Sequence, residues 1–458
     1  METVIRAALA FICRRSYLRS PRIVALLLWA SVQQVSRRRP DAPSRRLRAL
    51  ILPRPGLTED AEAALSTARN IDPLTAPSGI MKAISLGFLP NTIDDNNYAN
   101  LSIEEEAAKR AYREFLRKTL HHLLTLSRID VIISGNFAYF AERELHGASE
   151  EVGVPFVILH KENLKSAARL SYYEDHYRRR RGPFSGRRII VYNSFERDVQ
   201  IAAGVASPDR ISICGMPRLD RAHAWRRSEA QKPLPRKPLV LFFTFGAKTG
   251  LPVLRRKFGD GGTIEPLPAF DNLSWQKTAQ LTADAIVRFA RENQHVNVIV
   301  KSKRAAGHLT SFQEIAEGEV PANMRFVEGG DPLELLKDAW VAIGMNSTAL
   351  LEALAMGKIV LSPGFAEAAD PAMSPWIADF GRAIERTSTP DELVTRLSEI
   401  TNGPPRFVSA ELDSHTIDCL SQWAGNADGK ASERVLAIIE NEASAQKRPT
   451  PQSQHEET

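Results

Sequence analysis

Three cysteines in 458 residues, Cys13, Cys214 and Cys419, are too few and too scattered for a disulfide framework or a structural zinc. They point to a reducing compartment. Long hydrophobic runs are missing as well. Ile23 to Val32 is apolar apart from Ser31, too short to span a bilayer, and flanked by Arg6, Arg14, Arg15, Arg19 and Arg22. Where a cleaved leader would show its processing site, more arginines follow at Arg37 to Arg39. The sequence holds no G-x-x-x-x-G-K-[ST] loop, no G-x-S-x-G elbow and no H-E-x-x-H helix. No D-x-D is placed as a metal-held diphosphate clamp, so no metal ligands are assigned. The N-x-[ST] matches at Asn100, Asn272 and Asn346 mean little without a secretory signal.

What is present is an ordinary globular composition, 43% hydrophobic and 25% charged, long enough for two domains. The net charge of +6 hides a crowding of arginine in the first 48 residues and again from Arg178 to Arg188. Residues 1–46 read as a basic, partly amphipathic extension, either a membrane-surface anchor or a solvated helical arm. Tyr172 to Arg188 mixes aromatics with arginine, but one loop inside an α/β domain is not an extended basic face. Nucleic acid is therefore not assigned as a partner; a solvated loop, or a mobile one touching an anionic acceptor or membrane, is expected.

The rest of the chain is organised around Trp340 to Phe365, WVAIGMNSTALLEALAMGKIVLSPGF. Val341 to Ile343 is a short apolar strand ending at Gly344. Asn346 and Ser347 are N-cap candidates for a helix from Thr348 to Met356, Gly357 stands at its C′ position, and Lys358 to Leu361 begins the next strand. Hydroxyls and free amides at a helix N-terminus suit a phosphate. Glu352 fits no capping box; it lies one turn after Thr348 on the same face, among apolar neighbours. A carboxylate there needs a partner, and a ribose diol beside a phosphate would serve. A surface glutamate, or one paired with lysine, is the plainer reading.

This stretch resembles the donor-nucleotide motif in the C-terminal domain of GT-B-fold glycosyltransferases, with the nearest likeness to bacterial capsule and surface-polysaccharide biosynthesis proteins. The resemblance implies that Ser347 and Thr348 contact the donor phosphates and Glu352 the ribose. Gly215-Met216-Pro217-Arg218-Leu219-Asp220 is similar to a G-x-P-R-x-D segment that closes the N-terminal domain in that family. Gly425 to Arg434 resembles a segment common at the C-terminus of surface-carbohydrate transferases. Lys301 matches a family lysine at a strand end, although the His-Pro that often follows is replaced by Lys303-Arg304.

Read in order, apolar strands alternate with helical patterns, as in parallel doubly wound sheets, whose ligands sit at the carboxyl ends of strands. Leu47 to Leu52, Ile129 to Ile133, Pro155 to Leu159, Ile189 to Tyr192 and Ile211 to Cys214 are expected strands of one domain. Leu239 to Phe245, Val296 to Val300 and Val341 to Ile343 belong to a second. Ile103 to Ser127 is a long amphipathic helix and Ala76 to Ala99 a loop or excursion. The expected fold is α/β and GT-B-like, two Rossmann-type domains facing across a cleft. Residues 47–232 form the acceptor domain and 233–403 the nucleotide-sugar donor domain; a helical segment spans 404–445 and a disordered tail 446–458. Gly246, Lys301, Lys303, Asn346, Ser347, Thr348 and Glu352 make up the donor set. His160 and Glu162, just past an N-domain strand, are candidates for activating the acceptor hydroxyl; the plainer readings are a hydrogen-bonded histidine and a capping or arginine-paired glutamate.

The expected activity is transfer of a sugar from a nucleotide-sugar to a growing bacterial surface glycan, without a cofactor. The acceptor would be a glycan or lipid-linked molecule, and the site the cytoplasm, peripherally at the inner face of the membrane. The alternatives are a nucleotide-sugar epimerase of the same fold and a non-catalytic, membrane-associated assembly protein.

Overall fold

The structure, a computed structural model, describes residues 2–35, 46–252, 272–303 and 320–445 apart from positions 55–56, 67, 96–97, 100–101 and 162, together with Phe312. The glycine-rich stretch before Asp271, Arg304, Glu162 and the tail 446–458 therefore lie outside the described residues.

The apolar runs become strands buried along their length, because helices cover both faces of a parallel sheet. The first sheet contains β1 (Leu47–Ile51), β2 (Ile71–Thr75), β3 (Val131–Ser134), β4 (Phe156–Leu159), β5 (Arg188–Val191) and β6 (Ile211–Ile213). The second contains β7 (Leu239–Phe243), β8 (Asn297–Ser302), β9 (Met324–Glu328), β10 (Val341–Ile343), β11 (Ile359–Pro363) and β12 (Glu385–Thr387). Strand orders are β2-β1-β3-β4-β5-β6 and β12-β11-β10-β7-β8-β9. Every pairing within them is parallel. Counted from β7, the second order is 3-2-1-4-5-6, the dinucleotide-binding arrangement, and its direction reverses between β7 and β10. The first sheet, in the order 2-1-3-4-5-6, is likewise open and parallel, and two α/β units of this kind in one chain make the GT-B-like fold.

The N-terminal extension is not a solvated arm. Helix Glu2–Arg14 packs on helix Ile80–Ser85, and helix Pro21–Val35 packs on the long helix Ile103–Leu126. Leu9, Cys13, Val24, Ala25 and Val32 are thereby buried in the core of the first unit. Helix Ile103–Leu126 begins as an amphipathic helix should, with Ser102 and Glu105 forming a reciprocal capping box. The arginine-rich stretch departs from the expected loop. Ala167–His176 is a helix and Tyr177–Arg181 a π-helical turn, in which Arg178 bonds Glu174 at 2.6 Å and the Ala202 carbonyl at 2.9 Å. Pairing at i,i+4 with Glu174 and Asp175 makes this arginine run compatible with a helix.

The chain crosses between units twice. After helix Leu219–Ser228, residues 231–234 pair antiparallel with 406–408. Helix Ala431–Ala445 then returns to the first sheet, where Val435, Ile439 and Ala443 cover Ala49, Val131 and Ile133.

Candidate functional site

The reversal point of the second sheet lies where β7 runs out into Thr244, Phe245 and Gly246 and β10 into Gly344 to Ser347. Ligands of such sheets bind at this point. Two local features bring the loops together. Asn346 adopts a left-handed backbone, φ 52°, and uses its side chain on the Trp376 carbonyl (3.2 Å) and the Ala378 amide (2.8 Å). Facing it, Gly250 has φ +75°, and a Cβ there would stand 2.9 Å from Asn346 Nδ2. Asn346 thus shapes the loop and turns its side chain toward the Trp376 segment. Gly246, at the mouth of β7, donates its amide to Thr249 Oγ1 at 2.9 Å.

Ser347 is the N-cap of helix Thr348–Ala355, accepting from the Ala349 amide at 3.3 Å, and Gly357 ends that helix at φ 70°. Thr348 and Glu352 share a helix face, as their spacing requires, and both meet Arg218. Its Nη2 donates to Thr348 Oγ1 at 3.2 Å and its Nε to Glu352 Oε1 at 3.1 Å. The other side of the same guanidinium is held by the first unit. Nη1 lies 3.1 Å from Asp60 Oδ2 and 3.4 Å from the Tyr192 hydroxyl, and the Arg218 amide donates to Asp60 Oδ1 at 3.2 Å. Tyr192 also donates its hydroxyl to Asp60.

Burial sets the electrostatics. Asp60 is fully buried and Glu352 is 5% exposed; for both, desolvation raises the carboxyl pKa above its ordinary value, while Arg218 opposes that rise. Arg218 stays firmly charged, because Asp60, Tyr192 and Glu352 together outweigh its own desolvation. Lys301 lies one residue before the end of β8, in register with Phe243, and is 6% exposed. Burial lowers its pKa, and the fields of Glu352 and Asp331 partly restore it. Among the described residues its ammonium has no hydrogen-bond or ion-pair partner, and neither does Glu352 Oε2. Lys303 stands exposed just beyond. One helix N-terminus, a buried lysine, a half-buried arginine and one buried carboxylate therefore meet at the reversal point, an arrangement suited to an anionic ligand that also carries hydroxyls.

The acceptor candidates come out differently. His160 follows β4 with no exposed surface; its Nε2 is 3.0 Å from Glu196 Oε1, and Lys165 Nζ is 2.6 Å from Glu196 Oε2. Burial opposes the charge on Glu196, but Lys165 and His160 outweigh it and hold the carboxyl at about 2. In this conformation His160 belongs to an internal charge cluster, away from any surface an acceptor could reach. Glu162 lies outside the described residues. Among those described, no three His, Cys, Asp or Glu side chains are gathered as metal ligands would be.

The remaining resembling segments interlock. Asp220 accepts from Asn426 Nδ2 (2.7 Å) and from the Ala431 and Ser432 amides (3.1 and 2.7 Å), capping the returning helix. Arg434 donates to the carbonyls of Cys214 (2.8 Å) and Gly425 (3.0 Å). Gly425 must be glycine, since its φ is +60° and a Cβ would collide with the Tyr192 carbonyl. Sequence reading placed Asp220 and Asn426 in motifs but assigned them no work. Arg218, Asp60 and Tyr192 were missed as site residues; the signal for Arg218 was the proline–arginine pair of its motif.

No protein-family model matches the chain, and no curated protein matches it. Among solved structures it is similar to a putative UDP-N-acetylglucosamine 2-epimerase from Listeria monocytogenes, with 11% identity over 87% of this chain and 97% of that one, TM-score 0.49. The UDP-GlcNAc 2-epimerase from Neisseria meningitidis, bound to UDP-GlcNAc, gives 10% identity over 86% and 100%, TM-score 0.48. The wall teichoic acid polymerase TagF gives 10% identity over 98% of both chains, TM-score 0.47. At such identities the likeness is one of fold.

Proposed function

We propose that the chain is a glycosyltransferase that moves a sugar from a nucleotide-sugar donor to a bacterial surface glycan or its lipid-linked precursor. The observation that carries this is the convergence of Lys301, Arg218 and Glu352 on the N-terminus of helix Thr348–Ala355 at the reversal point of the second sheet. Fixed positive groups there would stabilise the phosphate that departs with the nucleotide, the charge-stabilising part of such a transfer. Ser347 and Thr348 face the phosphates in this reading, and Glu352 the ribose. Taking the acceptor proton falls in this reading to Glu162, two residues beyond His160 in the sequence, because His160 itself has no exposed surface.

A second reading, a nucleotide-sugar epimerase, is favoured by one observation. His160 has no exposed surface, and an epimerase needs no reach to a second substrate. A thermal-shift screen of UDP-, CMP-, dTDP- and GDP-sugars tests the shared donor site, since a tight binder stabilises by mass action. Product analysis with the stabilising donor then separates the two. Sugar appearing on an added acceptor supports transfer, whereas an isomerised sugar without acceptor supports epimerisation. Absence of any stabilisation would overturn both.

We also place the protein peripherally at the inner face of the membrane. Among the described residues no helix is long and apolar enough to cross a membrane. Yet Val4, Phe11, Tyr17, Ile23, Leu26 and Trp29 are exposed at the N-terminus, beside exposed Arg14, Arg15 and Arg22. Apolar side chains interleaved with arginine suit a shallow insertion among anionic head groups. Co-sedimentation with phosphatidylglycerol vesicles, lost on Phe11→Ser with Leu26→Ser and Trp29→Ser, checks this.

A further inference from the structure

We infer that Arg218 is a phosphate-binding group of the donor site, lent to the second unit by the first, so that the phosphate rather than the base ties the two units together. The inference rests on the nucleotide-sugar reading above. It begins with an inventory of the guanidinium. Arginine offers five N–H donors. One on Nε goes to Glu352, two on Nη1 go to Asp60 and Tyr192, and one on Nη2 goes to Thr348. The second hydrogen of Nη2 has no partner among the described residues. It belongs to the nitrogen beside Thr348, the first residue of the helix whose N-terminus is proposed to face the phosphates.

The placement is built rather than incidental. Arg218 follows β6, and Asp60 grips it twice, through the backbone amide and through Nη1. Asp60 is fully buried, and its carboxylate has no other cation on it among the described residues. The side chain is therefore held in position before any ligand arrives, which removes an ordering cost from binding. Helix Leu219–Ser228 holds it from the other end. Arg226 of that helix donates through Nε to the Ala355 carbonyl at 3.1 Å, and Arg218 meets Thr348, so the two helices run side by side in the same direction. Lys301, the other cation of the site, comes from within the second unit and cannot make this connection.

The consequence is a division of labour within one ligand. A nucleoside alone would touch only the second unit, through Glu352. A nucleoside diphosphate would also engage Arg218, and through Asp60 and Tyr192 the end of the first sheet. Planar, multidentate recognition of phosphate is a task that lysine performs poorly in place of arginine.

The test compares UDP, CDP, GDP and dTDP with the matching nucleosides by calorimetry, on the wild-type chain and on Arg218→Lys. For the pair that the wild type binds tightest, the diphosphate-over-nucleoside preference should fall at least about tenfold in Arg218→Lys. The nucleoside Kd should stay within about twofold. An unchanged preference would overturn the inference and leave Arg218 a structural tie. In case the variant does not fold, hydrogen exchange on the wild type decides. The diphosphate should raise protection in helices Leu219–Ser228 and Leu57–Ser66, and the nucleoside should not. Equal effects of both ligands, or none on those helices, would overturn it. If no nucleotide binds the wild type at all, the donor-site reading fails first and takes this one with it.

Discussion

Glu352→Gln separates binding from packing at the centre of the site. Glutamine keeps an oxygen where Glu352 Oε1 stands, so Arg218 Nε retains its acceptor at 3.1 Å and loses only the charge. The bond stays charge-assisted through the guanidinium, so what is lost is the ion-pair attraction, about 1 kcal/mol of stability at most. Relief of burying the carboxylate opposes that loss, and burial outweighs Arg218 at this group, so Tm without ligand should change by no more than about 4 °C. Affinity should change far more. A charge-assisted bond from a ribose hydroxyl to Oε2 carries about 1.5–3 kcal/mol, so the nucleotide Kd should rise roughly tenfold to a hundredfold. Calorimetric titration gives the second quantity and scanning calorimetry the first. The pH dependence adds a check. Burial raises the Glu352 carboxyl above its ordinary 4.5, so this group binds a proton more tightly folded than unfolded. Its contribution is present below 4.5 and is lost as pH rises through the raised value, a term that glutamine lacks. The stability advantage of the wild type over the variant should accordingly narrow as pH rises. A nucleotide Kd within about twofold of wild type, alongside a Tm loss well beyond 4 °C, would reduce Glu352 to a partner of Arg218 and refute the donor-site assignment.

Ser347→Ala should cost about 1 kcal/mol through the lost cap and weaken nucleotide binding too, both measurable in the same titrations. His146 is fully buried against Phe156 and Phe184, with neither ring nitrogen bonded, and burial holds its pKa well below 6.5. The unfolded chain takes up that proton near 6.5 and the folded one does not, so stability should drop as pH falls below 6.5. His146→Leu should raise Tm and flatten that part of the curve; an unchanged acid limb would argue against it. Asp220→Asn should loosen helix Ala431–Ala445 by about 1–2 kcal/mol, seen as faster proteolysis of the last helix with the second unit unaffected.

The sequence is most legible where local and global preferences agree. Trp340 to Phe365 announces its strand, cap, helix and glycine stop because each residue type there suits one backbone state, and the structure follows it closely. Helix Ile103–Leu126 was equally readable from its apolar stripe. The edge strands β9 and β12 were not. Their burial patterns are mostly intermediate or exposed, so no apolar run marks them. The helix before β4 starts only at Arg143, because Asn136 first ties down the Ala138 amide in a turn. Two cap types stand side by side at the helix after β5, and it is Asn193 rather than Ser194 that accepts from the Glu196 amide. In the site, Ser347, Thr348 and Glu352 could be found because they are close in sequence. Asp60, Tyr192 and Arg218 could not, since Tyr192 and Arg218 meet only where β5 and β6 end beside one another and Asp60 comes from helix Leu57–Ser66. The fate of His160 was hidden for the same reason: Glu196, which it pairs with, comes from helix Ser194–Ala202 beyond β5.

The returning helix sets a timetable for the nascent chain. Its residues Val435, Ile439 and Ala443 finish the face over β1 and β3, strands that leave the ribosome early. Between the end of β6 at Ile213 and the end of that helix at Ala445 lie 445 − 213 = 232 residues. At about 5–20 residues per second, translation needs roughly 10–50 s to supply them. Throughout that interval an apolar strip of the first sheet stands open while the second sheet is still being made, and the uncapped Asp220 waits for its helix. The first unit therefore cannot mature ahead of the second, and a ribosome stalled after Thr387 would leave a surface for holding chaperones to find.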